Sequence, residues 1–213
     1  MNIIIFGDSI AFGEWDKEGG WAARLRKYTD QKVIDTNFET YISIYNAGIS
    51  GDTTETLLLR FENELKARFD AEDQNSIIIA IGINDSQVSV KEGSNLVFPE
   101  VFKSNLEKLI SISKKYTQKI IFVGLTPVDE EKVNPMPWKV THSYLQREVK
   151  KYNQMVKDIC DENKIEFINL LPAFLEKDFK SLLIDGVHPN TQGHELMYGI
   201  IKVYLQNKKY IPL

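Results

Sequence analysis

The stretch Ile3-Ile4-Ile5-Phe6, followed at once by Gly7-Asp8-Ser9, decides how the chain reads. A nearly continuous aliphatic run of this kind predicts a strand buried on both faces, as in a parallel sheet. Similar runs recur at Tyr41–Tyr45, Ile77–Ile81, Ile120–Val123 and Ile165–Ile168. Between them, apolar residues return at three- and four-residue steps, the signature of amphipathic helices. The sets are Leu58, Phe61, Leu65 and Phe69; Phe102, Leu106, Leu109 and Ile110; Leu145, Val149, Tyr152, Val156 and Ile159; and Leu196, Ile200, Val203 and Tyr204. Asp52-Thr-Thr-Glu55 reads as a capping-box variant, and Thr191 as the cap of the last helix. This alternation predicts an α/β protein with a five-stranded parallel sheet, right-handed crossovers and helices on both faces. No repeat, low-complexity tract or linker interrupts it, so residues 1–213 are expected to form one domain.

In such sheets ligands bind beyond the carboxyl ends of the strands. Ser9, Gly51 and Asn84 each follow a predicted strand within a few residues, so topology alone sends them to one sheet edge. Acyl transfer needs a nucleophile, a base, a group to orient the base and donors for the oxyanion. Gly7-Asp-Ser-Ile10 offers Ser9 as nucleophile, and Asp185-Gly-Val-His-Pro189 offers His188 as base with Asp185 to orient it. Of the other histidines, His142 reads as opening a helix without a nearby acid, and His194 as a partly exposed residue of the last helix. The side-chain amide of Asn84 and the backbone N–H of Gly51, with the amide of Ser9, would form a three-donor oxyanion hole. Asp8 and Asp85 are expected to support these groups by hydrogen bonding.

Composition narrows the alternatives. The net charge is -4, and the basic residues lie scattered among acidic ones, so nothing points to nucleic acid. Cys160, the single cysteine, sits on an apolar helical stripe and reads as a buried, inert thiol. No stretch approaches the ~18 apolar residues of a membrane span, so no integral membrane association is expected. The N-terminus lacks the basic region and apolar length of a signal peptide, and a nucleophile at Ser9 would forbid its removal. The expected location is therefore the cytoplasm. No sequence signal sets an oligomeric state.

Taken together, Gly7-Asp-Ser-Ile10, Asn46-Ala-Gly-Ile-Ser-Gly-Asp-Thr53, Gly82-Ile-Asn-Asp85 and Asp185-Gly-Val-His-Pro189 resemble, in order and spacing, the blocks of the SGNH hydrolases, also called the GDSL family. Ile10 stands where that family usually has Leu. The resemblance implies a three-layer α/β/α flavodoxin-like fold, no metal or organic cofactor, and hydrolysis of a small-molecule ester or thioester. Candidate substrates are short-chain, aryl, sugar-acetyl and lysophospholipid esters. Two rival readings share these residues. One is a non-catalytic carbohydrate- or lipid-binding module on the same fold. The other is a metal-dependent phosphoesterase using Asp8, Asp85, Asp185 and His188. The proline-rich segment 126–140 reads as a loop at the same edge that shapes substrate choice, with Trp138 as a substrate-binding surface. Trp15 and Trp21 flank the nucleophile and suit either the core or the mouth of the site.

Overall fold

The computed structural model describes residues 1–213. Its elements run β1 (Asn2–Gly7), α1 (Ser9–Phe12), α2 (Gly20–Asp35), β2 (Ser43–Gly48), α3 (Thr54–Arg68), β3 (Asn75–Ala80), β4 (Val88–Ser89) and α4 (Pro99–Ser113). They continue with β5 (Ile120–Val123), α5 (Glu130–Val133), β6 (His142–Ser143), α6 (Gln146–Asn163), β7 (Glu166–Ile168), α7 (Leu171–Leu175), a 3-10 turn (Phe179–Leu182) and α8 (Thr191–Asn207). The main sheet has five strands in the order β2-β1-β3-β5-β7, all parallel. Counted among themselves, these strands follow the order 2-1-3-4-5 of flavodoxin-like doubly wound sheets. Helices α2 and α8 pack together on one face, while α3, α4 and α6 pack in sequence on the other. The three-layer α/β/α fold follows. Ile3, Ile4, Ile5 and Phe6 have no exposed surface, which is why the first run carries no alternation.

The chain reverses strand order at β1. From there β2 is reached on one side and β3 on the other. The loops leaving β1, β2 and β3 therefore meet at one end of the sheet, and they carry Ser9, Gly51 and Asn84.

Several local expectations change. The cap of α3 is Thr53, whose side chain accepts from the Thr56 amide while Thr56 returns a bond to the Thr53 amide. Asp52 instead accepts from Thr56 and pairs with Arg60. Asn190, not Thr191, caps α8, accepting from the amides of Gln192 and Gly193. His142 lies in β6, antiparallel to β4, three residues before the cap of α6, because its backbone is held in that short ladder. Helix α2 lies outside the four predicted helical sets and buries Trp21, Ala22, Leu25 and Val33. In α3 the seam is Leu57, Phe61 and Leu65, with Leu58 only half-buried.

The largest change concerns α8. Its inward face is Gly193, His194, Met197, Ile201 and Leu205, rotated from the expected set of Leu196, Ile200, Val203 and Tyr204. His194 is thus fully buried rather than partly exposed, and neither ring nitrogen has a partner. Its ring lies against Gly20 at the start of α2. Burial pushes the imidazole pKa down from 6.5 to about 4, so the ring sits in the core neutral.

A folded-state pKa below the unfolded one means that the unfolded chain takes up a proton between pH 6.5 and 4 that the folded chain refuses. Stability contributed by His194 is intact above that window and falls as the pH drops through it. Replacing it with an apolar side chain removes that loss. Urea unfolding of His194→Leu, compared with the parent protein, should show a relative gain on the order of 2 kcal/mol from neutral pH to pH 4. Parallel pH profiles would contradict a neutral imidazole locked in the core.

Candidate active site

Ser9 sits where β1 ends and a single helical turn begins. Asp8 caps that turn, its Oδ1 accepting from the Ile10 amide at 2.9 Å. Ser9 is the first residue of α1, so its own N–H belongs to the unpaired set at a helix N-terminus. Asp8 is buried, and burial lifts its carboxyl pKa to about 7, against the opposing pull of the Ile10 amide and of His188. Asp85 serves a different loop. It accepts from the Thr54 amide at 3.0 Å and from the Thr54 hydroxyl at 2.5 Å, tying the turn after β3 to the start of α3. Burial raises its pKa to about 6.

His188 approaches from the far end of the chain, with Nε2 2.9 Å from Ser9 Oγ. Its Nδ1 lies 2.7 Å from Asp185 Oδ2. The other carboxylate oxygen of Asp185 accepts from the amides of Val187 and His188, both at 2.9 Å. Burial alone would raise the Asp185 pKa, but its bonds to His188 and to these amides outweigh that and hold it below the usual carboxylate range. An ionised Asp185 fixes Nδ1 as the protonated nitrogen and leaves Nε2 free to accept from Ser9.

Between them, Gly186 has φ 101° and passes so close to Lys132 and Val133 that a Cβ there would lie 2.9 Å from Lys132 Cβ. Its carbonyl accepts from the Asp129 amide at 2.8 Å. The first half of segment 126–140 therefore braces the Asp185–His188 loop, in addition to any part played by its second half.

The Asn84 side chain is buried, and Nδ2 donates one N–H to the Asp52 carbonyl at 2.9 Å. Its second N–H stays available. Gly51 precedes Asp52 with φ 82°, and its N–H is engaged in none of the chain's backbone hydrogen bonds. A Cβ at Gly51 would meet nothing within 4 Å. The glycine fits the left-handed backbone there, which side chains rarely adopt.

Ser9, His188, Asp185, Gly51 and Asn84 are thus brought to one end of the sheet. Beside them lies a cleft of about 570 Å³ lined by Glu14, Trp15, Ser50, Trp138, Ile184, Asp185 and His188. Trp138 is 53% exposed and Trp15 62%. Trp15 has φ 64° and stands edge-on to His188, ring centroids 6.4 Å apart. Trp21 belongs to the core. A larger hollow of about 670 Å³ at Met1, Gln74 and Tyr210 opens at the opposite end of the strands and holds no serine or histidine. Nowhere do three His, Cys, Asp or Glu side chains converge as a metal would require, because Asp8 and Asp85 face separate backbone amides.

No motif points to Gln87 and Tyr144, which bond to Asn84 Oδ1, or to Lys139, which bonds to Gln87. The only sequence hint was their place in segments flanking named motifs.

Residues 5–196 match the GDSL-like Lipase/Acylhydrolase family. The chain belongs to this family, and it is a carboxylic-ester hydrolase. It is 27% identical to an acetylxylan esterase of Geobacillus stearothermophilus, over 75% of this chain and 70% of that one. It is 23% identical to an isoamyl acetate-hydrolyzing esterase of Saccharomyces cerevisiae, over 94% and 84% of the two chains. Among solved structures it is similar to a lipase/acylhydrolase from Enterococcus faecalis, with TM-score 0.75, 22% identity and coverage of 97% and 96%.

The left-handed conformation of Gly51 can be tested directly. Gly51→Ala should cost about 1–2 kcal/mol of stability, the penalty of this backbone region for a side chain. Gly51→Asn should cost less, because Asn tolerates positive φ. Equal unfolding midpoints for all three proteins would show that the turn relaxes freely.

Proposed function

We propose that this hydrolase cleaves short acyl esters, acetyl esters foremost, of alcohols that carry a ring, using Ser9 as nucleophile. The observation that carries the reading is the continuous chain Ser9 Oγ–His188–Asp185, at 2.9 and 2.7 Å. In this reading His188 Nε2 takes the Ser9 proton as Oγ adds to the ester carbonyl carbon. The oxygen that gains charge is received by the N–H groups of Ser9, Gly51 and Asn84 Nδ2. As the tetrahedral adduct collapses, the C–O bond to the alcohol breaks and His188 returns the proton to the leaving oxygen. Water then repeats the sequence on the acyl-Ser9 ester, with His188 again as base, releasing the acid and restoring the hydroxyl.

Two observations support the substrate class. Trp15 and Trp138 present exposed indoles in a cleft that begins at His188, the side on which the leaving alcohol takes its proton. A ring on that alcohol, sugar or aryl, would meet one of these faces. The relatives' names supply the acyl half: one acts on acetylxylan and the other on isoamyl acetate.

Kinetics on 1-naphthyl esters of rising chain length, with ethyl acetate as the ring-free reference, test this directly. Acetyl should exceed octanoyl in kcat/KM, and Ser9→Ala should abolish turnover of every ester. Trp138→Ala should raise KM for naphthyl acetate by about two- to tenfold, the worth of one aromatic contact, and leave ethyl acetate nearly unchanged. Equal losses on both esters would assign Trp138 a structural part. Activity retained in Ser9→Ala would remove the mechanism.

A further inference from the structure

Asn84 is useful as a donor only if its amide cannot turn over, since rotation by half a turn about χ2 would present Oδ1 in place of the NH2 group. Both lone pairs of Oδ1 are taken. Tyr144 Oη donates to it at 2.6 Å and Gln87 Nε2 at 3.1 Å. Gln87 Nε2 also donates to Tyr144 Oη at 2.8 Å, and Gln87 Oε1 accepts from Lys139 Nζ at 3.2 Å. Asn84, Gln87 and Tyr144 are all buried.

The ends of this network fix the direction of every proton in it. An ammonium can only donate, so Gln87 must turn its oxygen toward Lys139 and its two N–H groups toward Tyr144 and Asn84. Tyr144 Oη then accepts from Gln87, and its single proton goes to Asn84 Oδ1. At the other end the Asp52 carbonyl can only accept, so Nδ2 must face the Gly51–Asp52 turn. Burial also raises the Tyr144 pKa well above that of a free phenol, which keeps the donor proton in place. Turning the Asn84 amide over would set Oδ1 against the Asp52 carbonyl and its NH2 group against the Gln87 and Tyr144 donors. Several buried groups would lose partners at once, each at more than a hydrogen bond returns.

We propose that Lys139, Gln87 and Tyr144 form a one-way hydrogen-bond chain that locks Asn84 as a donor, resting on the oxyanion role given to Asn84 above. All three are positioning residues. The chain also gives segment 126–140 a part in the chemistry through Lys139, next to Trp138 in the cleft.

Steady-state kinetics with 1-naphthyl acetate on Asn84→Ala, Tyr144→Phe and the double variant test the proposal, with urea melts to confirm folding. Asn84→Ala should lower kcat by about 10²–10³, as removal of such a donor does elsewhere. Tyr144→Phe keeps the ring and should lower kcat by about tenfold with KM little changed, a partial misplacement of that donor. Added to Asn84→Ala, it should cost nothing further. Lys139 is only partly buried and offers a second route: Lys139→Glu, an acceptor in place of a donor, should lower kcat, and Lys139→Arg should retain it. If Asn84→Ala leaves kcat unchanged, the oxyanion role itself falls, and the positioning role with it. If Asn84→Ala is slow but Tyr144→Phe is silent, or its loss multiplies in full in the double variant, the oxyanion role stands and the relay is wrong. Equal kcat for Lys139→Glu and Lys139→Arg would likewise overturn the directional argument.

Discussion

The hydrogen bond between Ser9 and His188 joins residues 179 apart in the chain, and it cannot hold itself closed. Closing a loop of that length costs about 5 kcal/mol of chain entropy, whereas one such bond returns about 1 kcal/mol net. The closure is secured nearby by Asp16. Its buried carboxylate accepts from Arg24, from the Gly20 amide at 2.9 Å and from the Thr191 hydroxyl at 2.8 Å. Arg24 continues to Glu195 at 3.0 Å. Asp16 thus fastens the loop after Ser9 to the first turn of α8, immediately beyond His188, while α2 and α8 pack together below. Burial works against ionisation of Asp16, but its bonds from Arg24 and Thr191 prevail and hold its pKa far down. Removing one partner of such a buried pair typically costs about 3–5 kcal/mol, enough to separate the two halves of the site.

The parallel sheet explains why the remaining groups need no comparable clamp. Ser9, Gly51 and Asn84 leave neighbouring strands whose register is fixed residue by residue, Gly7 opposite Gly48 and Ala80. Their relative positions are inherited from the sheet. Only the Asp185–His188 loop must be brought in from outside it, and it is braced from both sides, by Asp129 through Gly186 and by Asp16 through Thr191. Glycine at 186 follows from that bracing, since a side chain there would strike α5.

This division marks what the sequence could reveal. Short apolar runs flanking Gly7-Asp-Ser9, Ser50-Gly-Asp52 and Gly82-Ile-Asn84 are local signals, and the structure brings those residues to one edge. The face that α8 buries is not a local property. Leu196, Ile200, Val203 and Tyr204 form as good an apolar stripe as the one actually buried, and only packing against α2 selects the face with His194. A buried histidine without partners contradicts residue preference and is invisible before that packing is known. Trp15 and Trp21 are equally apolar. The left-handed backbone at Trp15 sends one to the cleft while the helix takes the other into the core. Gln87, Lys139 and Tyr144 form no motif, because Tyr144 and Lys139 reach Gln87 only once the distant β4 and β6 segments pair. Caps were readable to within one residue and no better. Asp, Thr and Asn side chains can all cap, and neighbouring contacts choose among them.

In the proposed reaction Ser9 carries the acyl group from the ester to water. Rapid quenching of the enzyme during turnover of 1-naphthyl acetate, followed by peptide mass spectrometry, tests it most directly. Acetyl should appear on the peptide bearing Ser9, form at least as fast as product, and disappear when substrate is exhausted. Steady product release with Ser9 unmodified, or acetyl confined to another residue, would rule out Ser9 as the acyl carrier.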